Sequence, residues 1–488
     1  MASAYQPLEP DRLLGSLPAE PDVSGPMAEI AAAVRDGRRR VVVLDDDPTG
    51  VQTVHDIDVL TTWDVDALAG ALCAAEPLFY ILTNSRALPR EEAVRRAQEV
   101  AEHLMQARAR TGIEIDLISR SDSTLRGHYP WELEPLAALA APWGFDGVLI
   151  VPAFPEGGRV TVGGVHYVRE GSRLVPAAST DFARDPSFGY THSFLPAWVA
   201  EKSGGRWPAS QVLRIPIETL RAGDVDGVCA LLLTAQGGQP VVADAAGYAD
   251  LTILVAALLR AEARGRRFLC RTAASFVKVR AALADRPLLT REELVPGSGP
   301  APGLVLVGSY VKRTTEQLAQ ACALPALAVF ELPVPRLLEE RAGDQIRAVT
   351  AQVSGAIAGG RTALVYTSRE LIAQDAGRDH AAIAAVVSAA VTQIAATIEA
   401  RPAWIIAKGG ITSSDVATRG LGVRRARVLG QVATGVPVWR LGAETRFPGL
   451  PYVVFPGNVG AGDTLAALIA LLDPRIADGI SAAAGIDR

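Results

Sequence analysis

Three groups of side chains in the first half of the chain are of the types that recognise a small polar acid. Asp45, Asp46, Asp47 and Thr49 follow the apolar run at 41–44, Asn84, Ser85 and Arg86 follow the run at 79–82, and Asp122, Ser123, Thr124 and Arg126 follow the run that begins at 115. Arginine holds a carboxylate through two parallel hydrogen bonds, and aspartate accepts from paired hydroxyls, so the set suits a polyol that carries a carboxylate. Taken singly, "DDDPTG" is a polar turn and "SDSTLRGH" a helix cap with surface charge. Their common position, each after an apolar run, argues for a joint role. Glu156 and Arg159 in "FPEGGRVTVGG" sit in a glycine-rich turn able to close over a substrate. No His/Cys/Asp cluster of metal-ligand character accompanies His128 or His166, so positional roles are expected for both histidines and no protein metal site.

The second half offers backbone instead. In "FPGNVGAGDTLAALIALL" an apolar run leads through Gly457, Asn458, Gly460 and Gly462 into a helical pattern, placing free N–H groups and a helix start where a phosphate would sit. "AKGGITSSD" adds Lys408 as a point charge, Gly409 and Gly410 for close approach, and Thr412 as a hydroxyl donor, while "VGSYVKRTTEQ" places Ser309 after a third run. Neither the Walker pattern nor the dinucleotide fingerprint is matched. The fragment "GAGDT" resembles the anion-hole and base motif of ribokinase-type sugar kinases, in which Asp463 would take the proton of the attacking hydroxyl; the alternative is an N-cap aspartate of the last helix.

The elements that must position these loops are short, uninterrupted apolar runs alternating with helical patterns such as that at 90–109. Such runs are strands buried on both faces, and their alternation with helices predicts parallel sheets whose ligands lie beyond the strands' carboxyl ends. The expected architecture is α/β, with two domains each built on a mostly parallel sheet flanked by helices and the active site in the cleft between them. Proline and glycine mark a linker at 295–303. The expected division is a flexible arm at 1–26, a substrate domain at 27–294 and a nucleotide domain at 304–488.

With 488 residues, 49% of them hydrophobic and 21% charged, and a net charge of −5, the composition excludes a basic nucleic-acid or membrane-surface binder. Four cysteines without CxxC spacing and the lack of a secretory apolar segment near the start suit a reducing, cytoplasmic setting. Small molecules are the expected partners, and homo-oligomer formation is left open. Lysine occurs only at 202, 278, 312 and 408, which draws attention to Lys408.

"LDDDPTG", "NSRAL", "SDSTLRG", "VPAFPEGGRVTVGGVHYV", "VGSYVKRTTEQ", "KGGITSSD" and "FPGNVG" occur in an order that resembles the four-carbon acid sugar kinase family, from about residue 40 to 470. The resemblance implies ATP-dependent phosphorylation of threonate, erythronate or 3-oxo-tetronate, with Asp46, Asp47, Arg86, Asp122, Ser123 and Arg126 binding the acid, and Ser309, Gly409, Gly410 and Gly460 with their neighbours holding ATP. Mg²⁺ is expected to bridge the phosphates, and Asp463, Asp46 and Asp122 are alternative groups to orient or deprotonate the hydroxyl. The chain departs from the family where it reads "SRSDST" without a lysine, "FPGNVGAGD", and "RTAASFVKVR" around Arg271 and Ser275. Two other readings are a ribokinase-like kinase of a neutral sugar and a non-catalytic sensor of sugar acid or nucleotide.

Overall fold

The structure is a computed structural model that describes residues 5–37, 39–140, 144–297, 299–339, 342–369 and 380–476. It divides into two compact units, the first of residues 1–54 and 62–285 and the second of residues 55–61 and 286–488.

Every apolar run singled out above forms a strand. In the first unit seven strands lie parallel in the order Leu78–Leu82, Arg39–Asp45, Glu114–Arg120, Phe268–Thr272, Gly147–Val151, Gln239–Ala243 and Leu213–Ile215. Their side chains are buried on both sides, the burial expected of a parallel sheet covered by helices. The helix Arg90–Thr111 shows why: Ala93, Ala97, Val100, Ala101, Leu104 and Ala107 form one buried stripe, Glu91 and Glu92 sit in its first turn, and Gly112 ends it in the left-handed conformation. Parallel order brings the carboxyl ends at Asp45, Leu82 and Arg120 to one edge, which is where the three polar groups begin.

In the second unit five parallel strands, in the order Ala328–Leu332, Ala363–Thr367, Leu304–Val307, Ile405–Lys408 and Pro451–Phe455, continue into the antiparallel strands Val436–Leu441, Arg425–Ala433 and Ile57–Leu60. The last of these comes from the amino-terminal half of the sequence. It is held by ladder pairing from Ile57 opposite Val428 to Leu60 opposite Arg425, and by Arg425 Nε donating to Asp58 at 2.9 Å.

Two sequence expectations change. The division falls at 285/286 and not within 295–303, because Leu289 and Leu294 belong to the core of the second unit and the Leu289 amide donates to Gln431 at 2.7 Å. The stretch expected to be a flexible arm is held as well. Leu8 exchanges two backbone hydrogen bonds with Leu174, and Leu8, Leu13 and Leu14 pack on Val160, Val165, Tyr167 and Leu174 of a small antiparallel sheet, Arg159–Val162, Val165–Glu170 and Arg173–Pro176. A three-stranded sheet needs one apolar face covered, and the amino-terminal residues cover it. Among the described residues no helix is long and apolar enough to cross a membrane.

Removing residues 1–16 should therefore expose that face, raising binding of a hydrophobic dye and lowering the melting temperature by about 2–4 °C for each kcal/mol of packing lost. An unchanged melting temperature would show that the stretch is a mere tail.

Candidate active site

At the carboxyl edge of the first sheet, three strand ends contribute a network of alternating charge. Asp45 ends its strand fully buried, with Arg120, the last residue of the neighbouring strand, donating Nε to it at 2.8 Å. The same guanidinium reaches Asp46 at 3.4 Å and the Asp47 carbonyl at 3.1 Å. Arg86 comes from the third strand end, in the short 3-10 turn Ser85–Ala87 that Asn84 enters at φ 50°. Its Nε and Nη2 donate to the two oxygens of Asp46 at 3.1 and 2.7 Å, a parallel pair, and it stands 3.5 Å from both Asp47 and Asp122. Arg126 donates Nε to Asp122 at 2.7 Å, four residues back along the loop.

This network is graded in depth. The side chains of Asp45 and Arg120 are 2% and 8% exposed, whereas those of Asp47 and Arg126 keep 23% and 26% open, so Asp47 and Arg126 lie outermost and Asp45 and Arg120 form the floor. Burial alone would raise the Asp122 carboxyl, but Arg86 and Arg126 outweigh it and hold that carboxyl well below the usual range. Asp47 is likewise lowered, burial being outweighed by Arg86 and Arg120.

Not every residue expected to face a ligand is free to do so. Thr49 spends its amide and hydroxyl on Asp47, and the Ser123 carbonyl accepts from His166 Nε2 at 2.7 Å; Ser85 commits its hydroxyl proton to Glu132 and keeps its oxygen as an acceptor. Thr161 donates to the other ring nitrogen of His166, and burial pushes this histidine down to about 4, so it is a neutral strut. His128 donates Nε2 to the carbonyls of Ser85 and Leu88 and holds the loop of Arg86 in place. Sequence reasoning missed Arg120, Glu132 and the part played by Arg271. An arginine inside the apolar run "FLCRT" was the available signal for Arg271; it lies fully buried over Tyr129 and Trp198, and donates Nη2 to the Arg126 carbonyl at 3.1 Å. Glu132 follows no strand, and nothing local marks it.

In the second unit the loops after three adjacent parallel strands, Leu304–Val307, Ile405–Lys408 and Pro451–Phe455, converge. Thr314 donates to the Ser309 hydroxyl at 3.2 Å and to the Gly457 carbonyl at 3.0 Å, and Gln317 donates to the carbonyls of Val459 and Ala461. Lys408 is fully buried, and its Nζ donates to the carbonyls of Pro456 and Gly457 at 2.7 and 3.3 Å above the Phe455 ring. The sequence reading made it a charge offered to a ligand; in the fold it clamps the glycine loop, and burial pushes its ammonium down to about 7. With the carbonyls of Gly457, Val459 and Ala461 turned to protein, none of the amides at 457–463 is taken by a hydrogen bond among the described residues. Gly460 holds φ +86°, and a Cβ there would lie 2.7 Å from the Thr464 hydroxyl. Gly409, at φ +116°, lies against Ser309, and Thr412 is packed beneath Gly308 and Gly409 at the start of the short helix Gly410–Asp415. Asn458 and Asp463 are exposed, Gly462 borders open space, and Asp463 precedes the helix Thr464–Leu472 without a side-chain cap bond. Arg369, unnoticed in the sequence, donates to the Ser309 carbonyl at 2.6 Å and adds a cation beside this loop.

The two halves of this construction match two known domain types. Residues 41–280 match the family described as sugar-binding N-terminal domain, and residues 304–465 that described as nucleotide-binding C-terminal domain. A sugar-binding unit joined to a nucleotide-binding unit defines a sugar kinase as the class of protein. Full-length relatives narrow it. A D-threonate kinase of Cupriavidus necator is 29% identical over 92% of this chain and 94% of its own, and a 3-oxo-tetronate kinase of Methylobacterium radiotolerans is 29% identical over 81% and 91%. A D-erythronate kinase of Heliobacterium modesticaldum is 35% identical over 173 residues, 35% of this chain and 36% of that one. Solved structures of proteins from Salmonella typhimurium LT2 and Haemophilus influenzae share the fold with TM-scores of 0.65 and 0.59, each 19% identical, covering 88% of this chain and 98% and 100% of theirs. The chain belongs to the four-carbon acid sugar kinase family.

Because the Asp122 carboxyl is depressed in the fold, its contribution to stability is present above the unfolded value of about 3.9 and is lost as pH falls below it. Asp122→Asn should cost roughly 2–4 kcal/mol near neutrality by leaving Arg86 and Arg126 short of a partner. In urea unfolding the deficit should narrow steadily as pH is lowered from about 4 to about 2. A deficit independent of pH would place the loss in packing and not in charge.

Proposed function

We propose that this protein is an ATP-dependent kinase that phosphorylates a hydroxyl of a four-carbon sugar acid of the threonate, erythronate or 3-oxo-tetronate type. The observation that carries the reading is the graded network of Asp46, Asp47, Arg86, Asp122 and Arg126, in which the outer members remain partly open to a ligand. Arg126 is the group for the acid's carboxylate, and Asp47 and Asp122 are acceptors for its hydroxyls. A guanidinium-rich site of this kind favours an acid over a neutral sugar. It also fits a substrate that must be held rigidly, since phosphoryl transfer draws most of its rate from positioning and charge stabilisation.

The second unit fits a nucleotide's phosphates through its donors. The glycine loop at 457–463 has the carbonyls of Gly457, Val459 and Ala461 bound within the protein and its amides available, with Ser309 and Arg369 alongside. ATP supplies the transferable phosphoryl group and Mg²⁺ neutralises the phosphate oxygens. Magnesium in such sites is held by phosphates and by one or two carboxylates, a role the exposed Asp463 suits. Asp46 and Asp122 serve better to orient than to take a proton, because their oxygens already accept from Arg86 and Arg126.

ADP release from ATP and Mg²⁺, measured across D- and L-threonate, D- and L-erythronate and 3-oxo-tetronates with ribose as the neutral control, should show turnover on at least one acid and none on ribose. Arg126→Ala should raise KM for that acid by about 10–100-fold, the loss of one charged hydrogen-bonding partner, with KM for ATP little changed. Turnover on ribose would move the reading to a neutral-sugar kinase, and binding of acid and ATP without turnover would make the protein a sensor.

A further inference from the structure

The four aspartates of the site are all committed to guanidinium groups, which leaves open where the proton of the attacked hydroxyl goes. We propose that it passes through the Ser85 hydroxyl to Glu132, a buried carboxylate that does not itself touch the substrate. The inference rests on the kinase reading above.

Glu132 is distinguished by what it lacks. Asp45, Asp46, Asp47 and Asp122 each lie within ion-pair distance of an arginine, whereas Glu132, only 7% exposed, pairs with no cation among the described residues. Ser85 Oγ donates to its Oε2 at 3.3 Å, and its Oε1 has no hydrogen-bond partner among the described residues. A buried carboxylate oxygen left unsatisfied costs free energy and is retained where it has a use. The oxygen faces a gap that Gly127 keeps open at φ +111°. A Cβ there would stand 3.4 Å from Asp46 Oδ2, 3.8 Å from Arg271 Nη2 and 3.9 Å from Glu132 Oε1. On the other side, a cavity of about 20 Å³ is bordered by Asp46, Thr83, Ser85, Ser119 and Glu132, with room for about one water among polar partners. Ser85 belongs to the same turn as Arg86, one residue from the charged network, and its hydroxyl also accepts from Thr83 at 3.4 Å.

The charged groups that act on Glu132 are Asp46 from the first strand end, Arg86 from the turn and Arg271 from the central strand, and the nearest imidazole in its own loop, His128, is turned to the carbonyls of Ser85 and Leu88. Burial, and then the charge of Asp46, push the Glu132 carboxyl up to about 7 against the pull of Arg271, so it can hold a proton near neutrality. In the transfer, the substrate O–H bond breaks as its oxygen bonds to the γ-phosphorus of ATP, and the bond from that phosphorus to the bridging oxygen breaks, its electron pair leaving with ADP. The hydroxyl proton moves to Ser85 Oγ while the Ser85 proton moves to Glu132 Oε2, which releases it to solvent after product leaves.

The test is the pH dependence of kcat for the acid that the wild type turns over, in Glu132→Gln, Ser85→Ala, Ser85→Thr and His128→Gln. Thermal unfolding checks that each variant folds. Wild-type kcat should fall on the acid side with an apparent pKa of about 7. Glu132→Gln, which keeps the shape and removes a charge that has no partner, should lose that limb and about 10²–10⁴-fold in kcat, with both KM values little moved. Ser85→Ala should lose kcat in the same way with Glu132 intact, and Ser85→Thr, which restores a hydroxyl, should recover most of it. His128→Gln should retain the acid limb, which separates the glutamate from the nearby imidazole. If Glu132→Gln does not fold, the contrast between Ser85→Ala and Ser85→Thr decides. An active wild type whose Glu132→Gln and Ser85→Ala forms keep the limb and kcat overturns this inference alone, and a wild type silent on every acid overturns the kinase reading and the inference with it.

Discussion

Everything at the first site depends on one guanidinium. Arg86 stands between Asp46, Asp47 and Asp122, carboxylates delivered by two different strand ends, and without it three like charges would share a small and mostly buried space. Buried charges are tolerated only when paired and hydrogen-bonded, so the chain places a second arginine, Arg120, under the first and a third, Arg126, above it. The result is a column of alternating charge whose lower end is satisfied by protein and whose upper end remains open. The parallel sheet pays for this column by burying strands on both faces, and its register sets the carboxyl ends of three strands side by side.

The second unit meets the same topological edge with different chemistry. Its loops carry few side-chain charges and present peptide groups instead. Lys408, Thr314 and Gln317 bind the carbonyl side of the glycine loop, which turns the loop into a surface of donors. One unit thus presents charged side chains in ion pairs and the other backbone amides, the two kinds of group that hold a carboxylate and a phosphate respectively. Glu132, a buried carboxylate beside the ion-pair column and outside it, is placed to change protonation state without dismantling it.

The strands were legible because runs such as 41–45 and 304–307 are apolar without interruption, and the loops after them carry polar residues in unbroken sets. Residues whose role depends on distant partners were not. Lys408 looks like a free charge until Pro456 and Gly457 turn their carbonyls towards it, 48 and 49 positions away. Ser85 gives no local sign that its hydroxyl donates to Glu132, 47 positions on. The strand Ile57–Leu60 gives no local sign that its ladder partner is Arg425–Ala433, since pairing across such a distance is decided by which edge is left to fill.

The sequence by itself determined the α/β class, the identity of the strand-end loops and the kind of chemistry each half offers, because apolar periodicity and residue type are local properties that survive without coordinates. Only the tertiary structure decided which charges neutralise each other, which polar atoms are spent inside the protein and which remain for a ligand. It also assigned residues 55–61 to the second unit and folded the amino-terminal stretch onto a small sheet. These are outcomes of long-range packing, in which burial changes the cost of a charge and a hydrogen bond to a distant carbonyl settles where a side chain can act.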